Sequence, residues 1–134
     1  MKSIEEIKEY LSEVKSAVKS DRYTIALNSK RQANNFLFDN YVIDEAMAKE
    51  ILLSLKATDF LHTLQNEHKG YENEVLYVFG KTVKLLERYG TSIKDVSLYI
   101  KFNKLENCFV IVISFHEQKY PLEFPYKNKE KGEM

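Results

Sequence analysis

Three side chains that can support phosphodiester chemistry fall on two predicted strands. Tyr99 and Lys101 alternate with apolar residues in "VSLYIKF" (96–102), and His116 follows the apolar run "CFVIVISF" (108–115). Cleavage of RNA by its own 2′-hydroxyl needs a base, an acid for the leaving 5′-oxygen, and cations that stabilise the charged phosphorane. Imidazole exchanges protons near neutral pH, lysine supplies positive charge, and tyrosine donates a hydrogen bond or stacks on a base. The three residues are therefore candidate catalytic residues for a reaction that excludes DNA, which has no 2′-hydroxyl.

The same side chains also fit purely structural roles. A histidine at a strand end is more often a surface or hydrogen-bonding residue than a catalyst, and a lysine between apolar residues is typical of a solvated strand face. Tyr99 is one of nine tyrosines. His62 and His68 have no cysteine partner and lack the spacing of zinc ligands, so we predict no metal site and no cofactor. These residues alone are a weak sequence signal for an RNA-cutting or RNA-binding face.

Helical periodicity dominates the first half of the chain. Helices are predicted over residues 4–19, 29–38, 44–55 and 58–66. The first begins with a capping box of Ser3 and Glu6, and Asp44 and Thr58 can cap the last two.

Strand-like segments dominate the second half. Strands are predicted at 74–83, 96–102 and 108–116, with a short one possible at 22–27 and a helical turn at 84–90. Helices followed by strands predict an α+β fold, with N-terminal helices packed on a small C-terminal antiparallel β-sheet. Residues 1–134 are expected to form a single domain, with a charged, frayed end at 128–134.

The hairpin between the last two strands decides which side chains meet. A four-residue loop, 104–107, would pair Phe102 with Phe109 and Leu98 with Ile113, so that the large apolar side chains share one face. This register separates Lys101 from Ile111, and it places the polar set on the other face: Ser97, Tyr99, Lys101, Ser114 and His116. It also puts His116 roughly 13 Å along the strand from Tyr99, so these groups would line a groove.

An aromatic tail follows the last strand. Leu122, Phe124 and Tyr126 alternate, while Pro121 and Pro125 hold the backbone extended without requiring sheet hydrogen bonds. We predict that residues 119–126 lie across the sheet or its edge and bury Phe124 or Tyr126, since an exposed aromatic tail would be sticky.

Composition is that of a globular protein, with 44% apolar and 30% charged residues. The sequence shows neither a signal peptide nor a bilayer-spanning segment, which predicts a cytoplasmic protein without membrane contact. The single cysteine, Cys108, lies in an apolar run and is predicted to be a buried small hydrophobe.

Charge is balanced overall but not along the chain. Residues 41–74 carry seven acidic and three basic side chains, whereas residues 75–104 carry six basic and two acidic ones. Such a change of sign can build a basic face on a neutral protein, although solvated surface charges are the simpler interpretation. The candidate RNA-binding residues are Lys81, Lys84, Arg88 and Ser114.

A set of short motifs in this order resembles a known family. After helices that end in "LLSLKATDF" come "VFG" (78–80), "LYIKF" (98–102) and "VIVISFHEQKYPLEFPYK" (110–127). Over roughly residues 10–127 the chain is similar to the MqsR-like toxins of bacterial toxin–antitoxin pairs. The resemblance implies a RelE/ParE-like fold and a metal-independent endoribonuclease that cuts messenger RNA and inhibits growth when it is free.

The resemblance also implies partners and site residues. A cognate antitoxin protein would silence the enzyme, RNA would be its substrate, and it would not bind DNA directly. The tyrosine and lysine of the family's "Y-hydrophobic-K" strand fall on Tyr99 and Lys101, and the basic residue after "SF" falls on His116, which is lysine in the best-known member. A catalytically silent inhibitor or adaptor, using the same face to hold a protein partner, is the alternative function.

Overall fold

A computed structural model describes residues 2–127 as an α+β domain with three α-helices and a five-stranded mixed sheet. The helices are α1 (Ile4–Lys19), α2 (Gln32–Asn40) and α3 (Glu45–Ser54). The strands are β1 (Tyr23–Ile25), β2 (Phe60–Gln65), β3 (Val75–Leu86), β4 (Ile93–Lys104) and β5 (Val110–Glu117). Within 2–127, no helix combines the length and the apolar character needed to cross a bilayer. The predicted fraying at 128–134 lies outside the described residues.

Helix α1 forms as its sequence predicts. The Ser3 side chain accepts a hydrogen bond from the Glu6 amide, and the Glu6 side chain accepts one from the Ser3 amide, which confirms the capping box. The apolar stripe of α1 is buried, and Tyr10 stacks on Tyr77 of β3 with ring centroids 3.6 Å apart. This contact fixes α1 against one face of the sheet, called the inner face below.

The sheet is mixed rather than antiparallel, so that part of the prediction is wrong. Its strand order is β1-β5-β4-β3-β2, and β1 runs parallel to β5, with Tyr23 opposite Val110. All other neighbours are antiparallel. The three-residue β1 follows α1 and joins the edge beside β5 in the same direction, a pairing that no local pattern specifies.

Two predicted helical segments are strands instead. Thr58 lies in the middle of a 3₁₀ turn, Ala57–Asp59, and the following residues form β2, which pairs with β3. The predicted helical turn at 84–90 is the end of β3 and the tip of its hairpin with β4. In both places pairing with a neighbouring strand overrides the local capping signal.

The core lies between the helices and the inner face. Leu98, Ile100 and Phe102 of β4 are fully buried there, in agreement with the common face predicted for the large apolar side chains of this strand. From β5, however, the buried core side chains are Val110, Val112 and Phe115. Phe109, Ile111 and Ile113, which the predicted register places on the same face as Leu98 and Phe102, are only partly buried.

The prediction for Cys108 is wrong. The cysteine is exposed, with φ of 65°, in the loop between β4 and β5. Its amide donates to the Leu105 carbonyl oxygen at 2.9 Å and helps to close that loop. Cys108 therefore belongs to a turn rather than to the buried strand.

Candidate functional site

The register of β4 against β5 differs from the predicted one and brings the candidate residues closer together. Tyr99 lies opposite His116, and Lys101 lies opposite Ser114. The predicted pairing of Leu98 with Ile113 is wrong, because Leu98 faces Glu117. Lys101 also shares a face with Ile111, which contradicts the predicted separation of these two residues.

A β-bulge at Ile113 explains how the register changes without burying the site. Lys101 pairs with Ser114 but the next residue, Phe102, pairs with Val112, so Ile113 has no partner on β4. One extra residue reverses the alternation of a strand. Val112 and Phe115 therefore both reach the core, while Ser114 and His116 lie on the other face, called the outer face below.

Asn34 of α2 holds this bulge through its side chain. Its Nδ2 donates to the carbonyl oxygens of Ala26 at 2.8 Å and Ile113 at 2.9 Å, and its Oδ1 accepts from the Phe115 amide at 2.8 Å. The residue is only 1% exposed, so no water can easily replace these partners. A single buried amide thus satisfies the backbone groups that the bulge leaves unpaired on β5.

We expect Asn34→Ala to lower the free energy of unfolding by roughly 3 kcal/mol or more, because buried backbone groups lose their partners. Urea denaturation measures this change. Asn35→Ala is the matched control, because the Asn35 side chain makes one exposed hydrogen bond, to the Asn28 carbonyl oxygen. Equal stabilities for the two variants would show that Asn34 does not hold the bulge.

Tyr99 and His116 form the centre of the outer face. Their rings stack with centroids 5.3 Å apart and planes inclined by 15°. His116 Nδ1 lies 3.1 Å from the Glu117 carbonyl oxygen. A carbonyl oxygen only accepts, so this contact requires a proton on Nδ1, and in the matching neutral tautomer the lone pair lies on Nε2. The stack fixes the imidazole and leaves one nitrogen available for proton exchange.

A second imidazole, His62, lies on the other side of Tyr99. His62 of β2 pairs with Val78, which pairs with Lys101, so the side chains of His62 and Lys101 share the outer face. The rings of His62 and Tyr99 are 6.4 Å apart, and His62 is exposed.

The sequence interpretation missed His62 because it placed residues 58–66 in a helix. The available signal was the strand-like composition of "FLHTLQ", rich in large apolar residues with a threonine. A strand at that position would have placed the histidine on the sheet.

Burial shifts the pKa values of Tyr99 and Lys101, and a neighbouring cation also affects that of Lys101. Partial burial raises the pKa of the Tyr99 phenol, which therefore stays protonated at neutral pH and can donate a hydrogen bond. Burial, and secondarily the charge of Arg31, lower the pKa of the Lys101 ammonium. An anion bound between Lys101 and Arg31 would relieve this repulsion.

The structure separates the four predicted RNA-binding residues. Ser114 lies beside Lys101 but is only 6% exposed. Lys84 is exposed on the outer face and makes an ion pair with Asp95 at 2.8 Å. The Arg88 guanidinium donates to the carbonyl oxygens of Phe38 and Tyr41, which ties the hairpin tip to the end of α2.

Lys81 lies on the inner face. It pairs with the buried Leu98, and its charge acts on Lys15 of α1. It therefore does not join the cluster around Tyr99.

The tail covers the outer face next to Tyr99, as predicted. Gly80 lies opposite Tyr99, and a Cβ atom added at Gly80 would lie 2.8 Å from Leu122 Cδ1 and 3.3 Å from Phe124 Cε1. Tyr126 is 7% exposed and packs on Phe60 at 6.5 Å between ring centroids. The absence of a side chain at Gly80 lets the tail cross there and form one wall beside the site.

The outer-face site thus consists of His62, Tyr99, Lys101 and His116, with Ser114 at its floor. None of these five side chains is a carboxylate, and residues 2–127 hold no group of three or more histidine, cysteine, aspartate or glutamate side chains arranged for a metal ion. Side chains of these types can exchange protons and bind anions. Comparisons of the chain with protein-family models, with curated proteins and with solved structures found no match.

Proposed function

We propose that this protein is a metal-independent endoribonuclease that cuts messenger RNA, with a RelE/ParE-like fold, as the toxin of a toxin–antitoxin pair. The observation that carries the proposal is the placement of His62 and His116 on either side of Tyr99, with Lys101 on the same face. This arrangement would supply the base, the acid and the cation that the cleavage reaction needs.

Attack by a 2′-hydroxyl requires a base and an acid at different positions, and two separated imidazoles can fill these two roles. The 2′-oxygen and the leaving 5′-oxygen lie roughly in line on opposite sides of phosphorus. One group takes the proton of the 2′-hydroxyl as its oxygen bonds to phosphorus, and another gives a proton to the 5′-oxygen as its bond to phosphorus breaks. His62 and His116 approach a phosphate placed over Tyr99 from opposite sides, and each can serve one of these steps.

The remaining groups fit the charge that develops. The phosphorane carries more negative charge than the substrate, so Lys101 favours it, with Arg31 adding positive potential nearby. The protonated Tyr99 phenol can donate to a phosphate oxygen or stack on a base. The products are a 2′,3′-cyclic phosphate and a free 5′-hydroxyl.

Incubation of the purified full chain with single-stranded RNA in excess EDTA tests this mechanism. We expect cleavage to persist and to leave 2′,3′-cyclic phosphate ends, since the nucleophile is the substrate's own hydroxyl. The matched control is the same RNA with 2′-deoxynucleotides at the cleaved positions, which should stay intact there. Loss of cleavage in EDTA would contradict the metal-free mechanism.

The toxin assignment is tested in cells. The motif order from "VFG" to "YPLEFPYK" supports this assignment. A toxin of this kind would act in the cytoplasm and would have a cognate antitoxin as its protein partner. Expression of the chain alone should arrest growth, and co-expression of the antitoxin should restore it. A chain that is harmless and leaves RNA intact, with and without ribosomes, would instead be a silent binding protein.

A further inference from the structure

A groove of about 470 Å³ lies on the side of the molecule that carries α1. Its polar lining consists of Lys8, Ser12, Lys15, Ser16, Lys19 and Lys56. Its apolar lining comes from Leu11, Leu55 and Ala57. The groove is therefore bounded by α1 and by the segment that connects α3 to the 3₁₀ turn, away from the outer-face site.

The positive charge of this groove is not neutralised within residues 2–127. No carboxylate lines it, and none of its four lysines makes an ion pair in that part of the chain. The nearby Asp59 is buried and already accepts from Lys127 Nζ at 3.0 Å and from the Lys56 amide at 2.9 Å. Burial lowers the pKa of Lys15, and the charges of Lys19 and Lys81 lower it further against the opposing effect of Asp59.

The spacing of the lysines suits an extended anion rather than a single small one. Lys8, Lys15 and Lys19 recur along one side of α1, and at 1.5 Å of rise per residue they span about 16 Å. Lysine binds phosphate as a flexible point charge, without the rigid geometry that reads a base edge. Serine hydroxyls between the lysines can donate to phosphate oxygens.

Other contacts lead from the groove to the outer-face site. Lys56 adjoins Asp59, Asp59 pairs with Lys127, and Lys127 Nζ lies 4.7 Å from the centre of the Phe124 ring. Phe124 in turn lies over Gly80, next to Tyr99. This chain of contacts leads from the groove to the tail that borders the proposed site of cleavage.

We propose that this lysine groove binds the phosphate backbone of RNA, independently of sequence, as a second contact surface for the strand cut on the outer face. The choice of RNA as the polyanion rests on the proposed function, whereas the binding itself requires no cleavage. The groove would retain a long RNA while successive phosphates reach the site.

Binding of a short fluorescent 2′-O-methyl RNA to the full chain tests the proposal, since this probe has no free 2′-hydroxyl and is not cut. We expect Lys15→Gln/Lys19→Gln to weaken binding and to reduce the slope of log affinity against log salt by about 1.4, at about 0.7 per lost phosphate contact, between about 50 and 200 mM salt. Lys69→Gln/Lys94→Gln removes the same charge from exposed positions elsewhere and should leave the slope nearly unchanged.

An unchanged slope for the groove variant, or equal losses for both double variants, would overturn the proposal. Tighter binding of a polyglutamate peptide of equal charge at the groove would overturn the assignment to RNA. Failure of cleavage is distinguishable, because an inactive protein that still binds the probe through Lys15 and Lys19 would refute the ribonuclease and support the groove.

Discussion

Replacement of His116 by alanine is expected to slow RNA cleavage about 10²–10⁴-fold, the usual contribution of one general acid or base. The imidazole lies on the outer face, stacked on Tyr99, so its removal leaves the core side chains of β5 in place. Single-turnover cleavage measures the loss, and circular dichroism checks the fold. His68→Ala is the matched control because His68 is exposed in the loop between β2 and β3.

The partner imidazole sharpens this test. His62→Ala should cause a similar loss, and the double variant should lose less than the product of the two, because residues that act as a unit are not additive. The bell-shaped pH dependence expected for an acid–base pair should lose a different limb in each single variant. If His116→Ala cuts as fast as the parent protein, the histidine is only a strand-end residue and Lys101→Ala becomes the decisive variant.

Removal of the tail is expected to destabilise the fold by several kcal/mol. A chain ending at Gln118 should be compared with one ending at Lys127, so that the two differ only in residues 119–127. The truncation exposes Phe60 and the surface around Gly80 and removes the buried Tyr126. Each Å² of apolar area that becomes exposed costs about 25 cal/mol of stability. Urea denaturation of both chains gives the difference in unfolding free energy.

Two tyrosines of the tail provide the internal control. Tyr126→Ala should account for much of the loss, whereas Tyr120→Ala should change stability little because Tyr120 is 77% exposed. A truncated chain as stable as the longer one would show that the tail does not hold the sheet.

Local patterns predicted those parts of the fold that local chemistry determines. The capping box and apolar stripe of α1 and the Asp44 cap of α3 appear as expected, because each depends on residues three or four apart. The common face of Tyr99 and Lys101 follows from strand alternation alone. The buried tail follows from its alternating aromatic residues.

The details of the site depend on contacts between distant residues. Asn34 satisfies a bulge 79 residues further along the chain, and without that contact the best local register pairs Leu98 with Ile113. His62 reaches Tyr99 only because β2 pairs with β3, where a cap at Thr58 favours a helix. Sequence periodicity predicts neither contact. The sequence therefore indicated Tyr99, Lys101 and His116 as site residues, but not His62 and not the distances between them.

The order of the chain has a consequence for when the site can exist during synthesis. His116, and the tail that crosses Gly80, emerge from the ribosome after every other described element, and β1 pairs with no strand other than β5 in the described sheet. Until translation has passed residue 117, β1 lacks its complete partner strand and Tyr99 lacks its stacked imidazole, and until it has passed residue 127 the covering wall is incomplete. A nascent chain shorter than this holds no assembled site, so the proposed cleavage of RNA requires that the transcript has been read beyond codon 127.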